Sequence, residues 1–276
     1  MSKRYCLQPP ESDVVGDIID RATGRDALLV TIAFNSPHLI DSQLDLLDRN
    51  FRDSFTAVVA DNSRTPSARQ DIEAVCERRG ASYLPLPPNP GHTPSFSHGM
   101  ALNWVYHNLV RPAQTGYFGF LDHDVFPIRP VSYRAVLHNQ RSYGHFQVAE
   151  GHRYYWPGLS FFSSDYFGSE GANFLPAMFG ETYGDTGARN WWNHYRTMDM
   201  EAIESFTVRD VWADRPQREY VKLPADDDAR LTHFLSNAMT LFDDDWVHLL
   251  NGSNWATVDM EWKMKQLAAY LARPHE

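Results

Sequence analysis

The chain has 276 residues, and 25 Lys+Arg against 35 Asp+Glu give a formal net charge of −10 at pH 7 with the 12 His neutral. Hydrophobic residues at 43% and charged residues at 22% exclude disordered, collagen-like and coiled-coil chains and supply enough apolar side chains for a substantial core. At roughly 150 residues per domain the length fits one large domain or two small ones.

The longest apolar run, Ala27 to Phe34 interrupted by Thr31, is far short of the roughly 18 residues that a membrane span needs. Residues Met1 to Glu11 are polar and contain no apolar h-region, so a secretory signal is not supported and a cytoplasmic address is expected. Cys6 and Cys76, the 2 cysteines of the chain, are too few for a disulfide scaffold or a zinc-thiolate cluster and read as structural thiols. The acidic balance disfavours extended contact with nucleic-acid phosphates without excluding a local basic cleft. Tryptophan is concentrated late, at 156, 191, 192, 212, 246, 255 and 262, with Trp104 alone in the first half.

In chain order, Ala27 to Phe34 is a buried strand ending at Asn35. Leu39, Ile40, Leu44, Leu47 and Phe51 recur at a helical period. Phe55 to Ala60 is a second strand, closed by Asp61-Asn62-Ser63, and residues 66 to 79 form a helix with Pro66 at its start and Gly80 past its end. Ser82 to Leu86 is a third strand before a Pro-rich loop, Ser97 to Leu109 a helix, and Tyr117 to Leu121 a fourth strand running into Asp122-His123-Asp124. Strands and helices alternating in this way imply βαβ units and a parallel sheet, with right-handed crossovers bringing the carboxyl ends of the strands to one edge. Ligands bind beyond that edge in such sheets. Here it carries Asn35, Asp61, Asn89, Asp122 and Asp124.

The second half is less regular. Phe146 to Val148 and Gly158 to Ser163 read as short strands, 189 to 204 and 259 to 273 as helices, and the Asp226 to Asp228 and Asp243 to Asp245 triplets as solvated turns. With no repeat and no linker, the chain reads as one α/β domain over 1–276, with a regular half at about 27–130 and an elaborated half at about 131–276.

The most informative segment is Tyr117 to Pro130, Y-F-G-F-L-D-H-D-V-F-P-I-R-P. An apolar strand that delivers carboxylates at i and i+2 puts both on one side of an extended chain, about 7 Å apart, where they share a hard divalent cation. Such a cation keeps open positions for diphosphate oxygens and stabilises charge on a departing nucleoside diphosphate. The alternative for an isolated Asp-x-Asp is a capped, solvated turn.

These segments together resemble the GT-A fold glycosyltransferases, particularly the family-2-like nucleotide-sugar transferases. V-T-I-A-F-N-S resembles the opening strand and nucleotide loop, V-V-A-D-N-S-R the second strand with its base-contacting aspartate, N-P-G-H-T-P-S-F-S-H-G the Asn-x-Gly loop and following helix, and F-L-D-H-D-V-F-P-I the metal-binding strand. The resemblance covers 27 to 130 in order. It implies a Rossmann-like GT-A domain with a mostly parallel central sheet flanked by helices, and nucleotide-sugar contacts at Ala33, Phe34, Asn35, Asp61, Asn62, Gly91, His98, Asp122 and His123.

Further along, W-P-G-L-S-F-F at 156 to 162 is similar to the family's acceptor-side strand, and suggests acceptor contacts at Trp156 and Gly158, with Trp255 as another ring for sugar stacking. G-E-T-Y-G-D-T-G at 180 to 187 lies where many relatives carry a Glu-Asp pair. That pair is absent, so Asp185 is the candidate general base, Glu181 the reserve, and an Asx turn the structural alternative. W-V-H-L-L-N-G-S at 246 to 253 resembles the family's C-terminal histidine, which would make His248 a metal ligand beside Asp122 and Asp124. Trp191, Trp192 and Trp246 read as core.

The resulting expectation is a glycosyltransferase dependent on Mn2+ or Mg2+, moving a hexosyl or pentosyl unit from a nucleoside diphosphate sugar, by resemblance a UDP-sugar, to a hydroxyl of a soluble acceptor, with inversion favoured. Two alternatives stand beside it. A nucleotidyltransferase would carry a Gly-rich basic loop after the first strand, which A-F-N-S-P-H at 33 to 38 lacks, and a carbohydrate-binding or scaffold protein would keep the fold without turnover.

Overall fold

A computed structural model describes residues 2–10, 13–212, 238–249 and 260–272 of the chain. After two N-terminal helices, α1 (Ser2–Cys6) and α2 (Val14–Ala22), the order is β1 (Ala27–Ala33), α3 (Pro37–Asn50), β2 (Phe55–Asp61), α4 (Pro66–Arg79), β3 (Ser82–Pro85) and α5 (Pro94–Val105). A π-helical turn (Tyr106–Val110) and α6 (Arg111–Ala113) lead to β4 (Tyr117–Asp122), β5 (Val125–Pro127) and α7 (Arg134–Gln140). There follow β6 (Ser142–Ala149), β7 (His152–Ser163), β8 (Ala177–Phe179), β9 (Thr182–Gly184), α8 (Asn190–Asn193), β10 (Val208–Trp212), β11 (Ala238–Phe242), β12 (Trp246–His248) and α9 (Met260–Leu271).

The main sheet has six strands in the order β3-β2-β1-β4-β7-β6. The first four are mutually parallel, β7 is reversed, and β6 runs antiparallel to β7. This is the mostly parallel α/β architecture that the strand–helix alternation implies. Every residue of β1 is buried, as a central strand covered on both faces must be. Leu28, Val30 and Ile32 pack with α2 and α5 residues, while Ala33 packs with Ile40 and Leu44 of α3 and with Ile72, Val75 and Cys76 of α4. Gly80 closes α4 in the left-handed conformation (φ 70°) expected of a C-terminal glycine.

A second, antiparallel sheet has the order β10-β11-β12-β5. It grows out of the end of β4 and joins the two halves of the chain at the carboxyl edge of the main sheet. Among the described residues no helix is long and apolar enough to cross a membrane.

Several expectations for the second half need correction. The strands placed at 146–148 and 158–163 are parts of one long antiparallel hairpin, β6 and β7, whose register shifts between Gly144 and Phe146. The helix expected over 189–204 is confined to α8 and a 3-10 turn at Tyr195–Thr197. Its side chains serve tertiary partners instead: Asn190 Oδ1 accepts from the Asn173 amide at 2.6 Å, and Tyr195 is buried. The Asp243–Asp245 turn is present but bound, with Asp243 accepting from Tyr143 Oη at 2.5 Å and from the Thr207 amide at 2.8 Å. Trp246 is core as expected, whereas Trp192 is 45% exposed. The Asp226–Asp228 triplet lies outside the described residues.

Gly99 lets α5 lie against the segment that leads to Asp185, because a Cβ there would sit 2.5 Å from the carbonyl oxygen of Phe174. Backbone on both sides leaves little room to yield. Gly99→Ala is expected to lower stability by about 1–3 kcal/mol, seen as a reduced urea midpoint with an unchanged m-value.

Candidate active site

The turn Asp122-His123-Asp124 connects β4 to β5, so it belongs to both sheets. In the second sheet β12 sets His248 opposite Val125, and the Leu249 amide donates to the Asp124 carbonyl at 2.9 Å. This register leaves His248 Nε2 3.6 Å from Asp124 Oδ2. From the other side, His98 in the second turn of α5 brings Nε2 to 3.3 Å from Asp122 Oδ1. The Asp124 side chain is 1% exposed and that of Asp122 18%, so Asp122 is the one that meets the cleft.

Two buried carboxylates so close in sequence cannot both ionise freely. Burial, with the charges of Asp124 and Asp185, pushes Asp122 above the usual carboxylate range. Burial pushes Asp124 up as well, but His248, in hydrogen-bonding reach, outweighs it and holds Asp124 below that range. Burial drives His98 down to about 4, although Asp185 and Asp124 oppose this. The distance between His98 and Asp122 is that of an ion pair, yet burial works against charge on both partners. Asp124 carries the charge.

The site also holds two orphaned polar atoms. Asp124 Oδ1 and His123 Nε2 are buried with no hydrogen-bond partner among the described residues. The Phe34 amide donates to His123 Nδ1 at 3.2 Å, so Nε2 carries the proton. An unmet buried acceptor costs about 1–3 kcal/mol. A divalent cation against Asp124 Oδ1 and Asp122 would remove that cost along with the repulsion, and hard oxygen donors suit Mg2+ or Mn2+. The carboxylates therefore fit the metal. No group of three His, Cys, Asp or Glu among the described residues is arranged to hold one; His248, expected as a third ligand, stands beside Asp124.

Beside the ends of β2 and β3, a cavity of about 440 Å³ is lined by Asn62, Arg64, Arg69, Pro87, Pro88 and Asn89. Its wall is a polar network. Asn89 Nδ2 donates to Asn62 Oδ1 and to the Ser97 carbonyl at 2.9 and 2.8 Å. Arg64 donates to the Gly91 carbonyl at 2.7 Å. A Cβ on Gly91 would lie 2.4 Å from Ser97 Cα, so only glycine lets this loop fold so tightly onto α5. Asn35 (φ 48°) ties the same region together, accepting from the amides of Arg64 and Thr65 at 3.2 and 3.3 Å.

Asp61, expected to contact a base, is turned inward. It is 0% exposed, and its oxygens accept from the Ser63 amide at 2.8 Å and Tyr83 Oη at 2.9 Å. Its carboxylate shapes the turn, and Asn62, Arg64 and Asn89 face the cavity. Ala33 is likewise buried, while Phe34 is partly exposed beside His123.

Asp185, the candidate base, follows β9. Its amide donates to Tyr154 Oη at 2.8 Å and its Oδ1 accepts from the Thr186 amide at 2.7 Å. Its charge acts on both Asp122 and His98, so the candidate base shares their surroundings. Glu181 is exposed on the hairpin β8–β9. Trp156 departs from expectation: at 7% exposure its ring centroid stands 5.0 Å from that of His248 and 5.9 Å from that of His145. A Cβ on Gly158 would lie 2.0 Å from that ring. Trp156 and Gly158 thus form the wall behind His248 and offer no face to an acceptor. Trp255 lies outside the described residues.

Two groups at the site were missed from sequence. Lys263 of α9 is 0% exposed; burial lowers it to about 8 against the opposing charge of Asp124. Gln43 of α3 is also 0% exposed. Its signal was present, since position 43 falls on the apolar stripe of Leu39, Ile40, Leu44 and Leu47.

No family model matches the chain, and no curated protein sequence matches it. Among solved structures it is similar to glucosyl-3-phosphoglycerate synthase from Mycobacterium tuberculosis in complex with Mn2+ and uridine-diphosphate-glucose, at 15% identity over 72% of this chain and 73% of that one, with a TM-score of 0.42. It is also similar to a mannosyltransferase from Pyrobaculum calidifontis in complex with GDP-Man and Mn2+, at 17% identity over 59% of this chain and 50% of that one, TM-score 0.33. A third similar structure is a mannosyltransferase from S. cerevisiae, at 12% identity over 59% and 63% of the two chains, TM-score 0.35.

The raised Asp122 has a consequence for stability. Between the ordinary value of 3.8 and its higher folded value, the folded protein binds more protons than the unfolded one. The stability so gained is complete below about 3.8 and is lost as the pH climbs into the neutral range. Asp122→Asn, which cannot ionise, should therefore gain on the wild type as pH rises from about 4 to about 7 in metal-free buffer. Thermal melts at stepped pH check this; a constant or shrinking difference would contradict it.

Proposed function

We propose that the chain is a metal-dependent glycosyltransferase, moving a hexosyl or pentosyl unit from a nucleoside diphosphate sugar to an acceptor hydroxyl. The observation that carries the reading is the buried, mutually repelling pair Asp122 and Asp124 with an unmet Asp124 oxygen. The cavity beside Asn62 and the carboxylate of Asp185 lie at the same sheet edge, and support it.

In this reading Asp122 and Asp124 hold Mn2+ or Mg2+, which when bound offsets negative charge on the departing diphosphate. Asn62, Arg64 and Asn89 bind the nucleotide in a cavity of suitable size. A UDP donor is favoured by the sequence resemblance. Neutral His98 orients Asp122 and leaves that side of the cleft without added positive charge. Asp185, its backbone held by Tyr154, accepts the proton of the acceptor hydroxyl as that oxygen attacks, which favours inversion. The acceptor is soluble, with nucleic acid disfavoured by the charge of −10.

A thermal-shift panel of UDP, GDP, CDP, ADP and dTDP, each with and without Mn2+, tests the donor side on wild type and Asp122→Ala. A ligand at about 100 times its dissociation constant adds roughly 2.7 kcal/mol to the native state. One nucleotide should stabilise the wild type only with metal, and the variant should lose the response. A panel in which no nucleotide acts overturns the reading in favour of a non-catalytic carbohydrate-binding protein. Asp185→Asn should lower kcat by about 10²- to 10⁴-fold with donor affinity unchanged; equal loss in donor affinity would remove Asp185 from the role of base.

A further inference from the structure

We infer that Gln43, its amide oxygen held by Thr31, is a positioning residue that clamps the Asp122–Val125 turn in its cation-binding shape. Gln43 Nε2 donates to the Asp122 carbonyl and to the Val125 carbonyl, both at 2.7 Å. These two carbonyls bracket His123 and Asp124, so one amide group ties both ends of the carboxylate-bearing turn to α3. The other face of the amide is fixed as well, because Thr31 Oγ1 donates to Gln43 Oε1 at 2.7 Å.

The two carbonyls decide the orientation, because a carbonyl oxygen only accepts and an amide flipped by half a turn would aim its own oxygen at both of them. The Thr31 hydroxyl then donates to the oxygen that remains. Thr31 and Gln43 are 3% and 0% exposed, so water does not substitute for a lost partner. The network is fully satisfied, the condition under which buried polar groups impose one geometry. Glutamine also suits the place chemically: it supplies two N–H donors without adding a charge beside Asp124.

The inference rests on the proposed cation site for its purpose and not for its geometry. Groups that orient metal-binding carboxylates typically change metal affinity by about 10- to 100-fold when removed. The variants are Gln43→Met, Thr31→Val and Thr31→Ser, with Leu44→Ala on the same helix as a control that loses apolar packing alone. Two readouts are taken: Mn2+ affinity, from the free-Mn2+ resonance signal, and hydrogen exchange of the Leu249 amide in metal-free protein.

Gln43→Met and Thr31→Val should each weaken Mn2+ binding at least about ten-fold and speed Leu249 exchange, because that amide is bonded to Asp124. Thr31→Ser keeps the hydroxyl and should behave as wild type. Leu44→Ala should lose comparable stability while keeping Mn2+ affinity. Wild-type Mn2+ affinity in Gln43→Met, or Leu249 exchange no faster than in Leu44→Ala, overturns the clamp. Should the wild type bind no Mn2+ while Leu249 exchange still follows Gln43 and Thr31, the clamp stands and the metal-dependent reading of function falls.

Discussion

Two carboxylates leave the fully apolar end of β4 at positions i and i+2, and the chain has to keep them together without neutralising both. The arrangement around them follows from that electrostatic strain. Asp124 is held low because His248 stands beside it, whereas Asp122 takes up the repulsion as a raised affinity for protons. Adding a cationic His98 would relieve Asp122 directly, but burial keeps that ring neutral. The strain is left for something arriving from outside the chain to relieve. A divalent ion is the species that does so with oxygen donors already in place.

Holding such a turn rigid needs anchors from elements distant in sequence. Gln43 reaches it from α3, the Phe34 amide from the end of β1, and the Leu249 amide from beyond β12. The second sheet makes the last of these possible. Because strand side chains alternate between faces, a slip of one residue in the β5–β12 register would turn His248 away from Asp124. Phe126, Met239, Leu241 and Val247 form a buried cluster that holds the register in place.

The first half of the fold was legible because its signals are local. Apolar strand runs, a 3.6-residue period in α3 and the Pro66–Gly80 bracket of α4 each act within a few residues. The Asp-x-Asp turn was legible for the same reason. Hairpin β6–β7 was under-read, since its length comes from pairing across Ser142–Phe162 and Ala149–His152, which periodicity within either strand does not report. Asp61 illustrates a different limit: a carboxylate at a strand end is the same letter whether it faces a ligand or accepts from Tyr83. Thr31 and Gln43 were each visible as polar breaks in apolar patterns, on a strand and on a helix. That they satisfy one another is a tertiary fact.

A contrast between the two sides of the cleft follows. On one side the polar groups are bonded among themselves in two sets, Asn62 with Asn89 and Ser97, and Gln43 with Thr31, so the geometry there is set before any ligand binds. On the other side Asp185 follows β8–β9, a hairpin of two three-residue strands whose paired Met178 and Tyr183 are 54% and 53% exposed. Two isolated strands of that length have little stability of their own. Under the proposed function, preorganisation is therefore concentrated where charge has to be stabilised, and the acceptor meets a surface that adjusts around one fixed carboxylate. Discrimination among donors then comes from the rigid network, and discrimination among acceptors from the side chains that the hairpin presents beside Asp185.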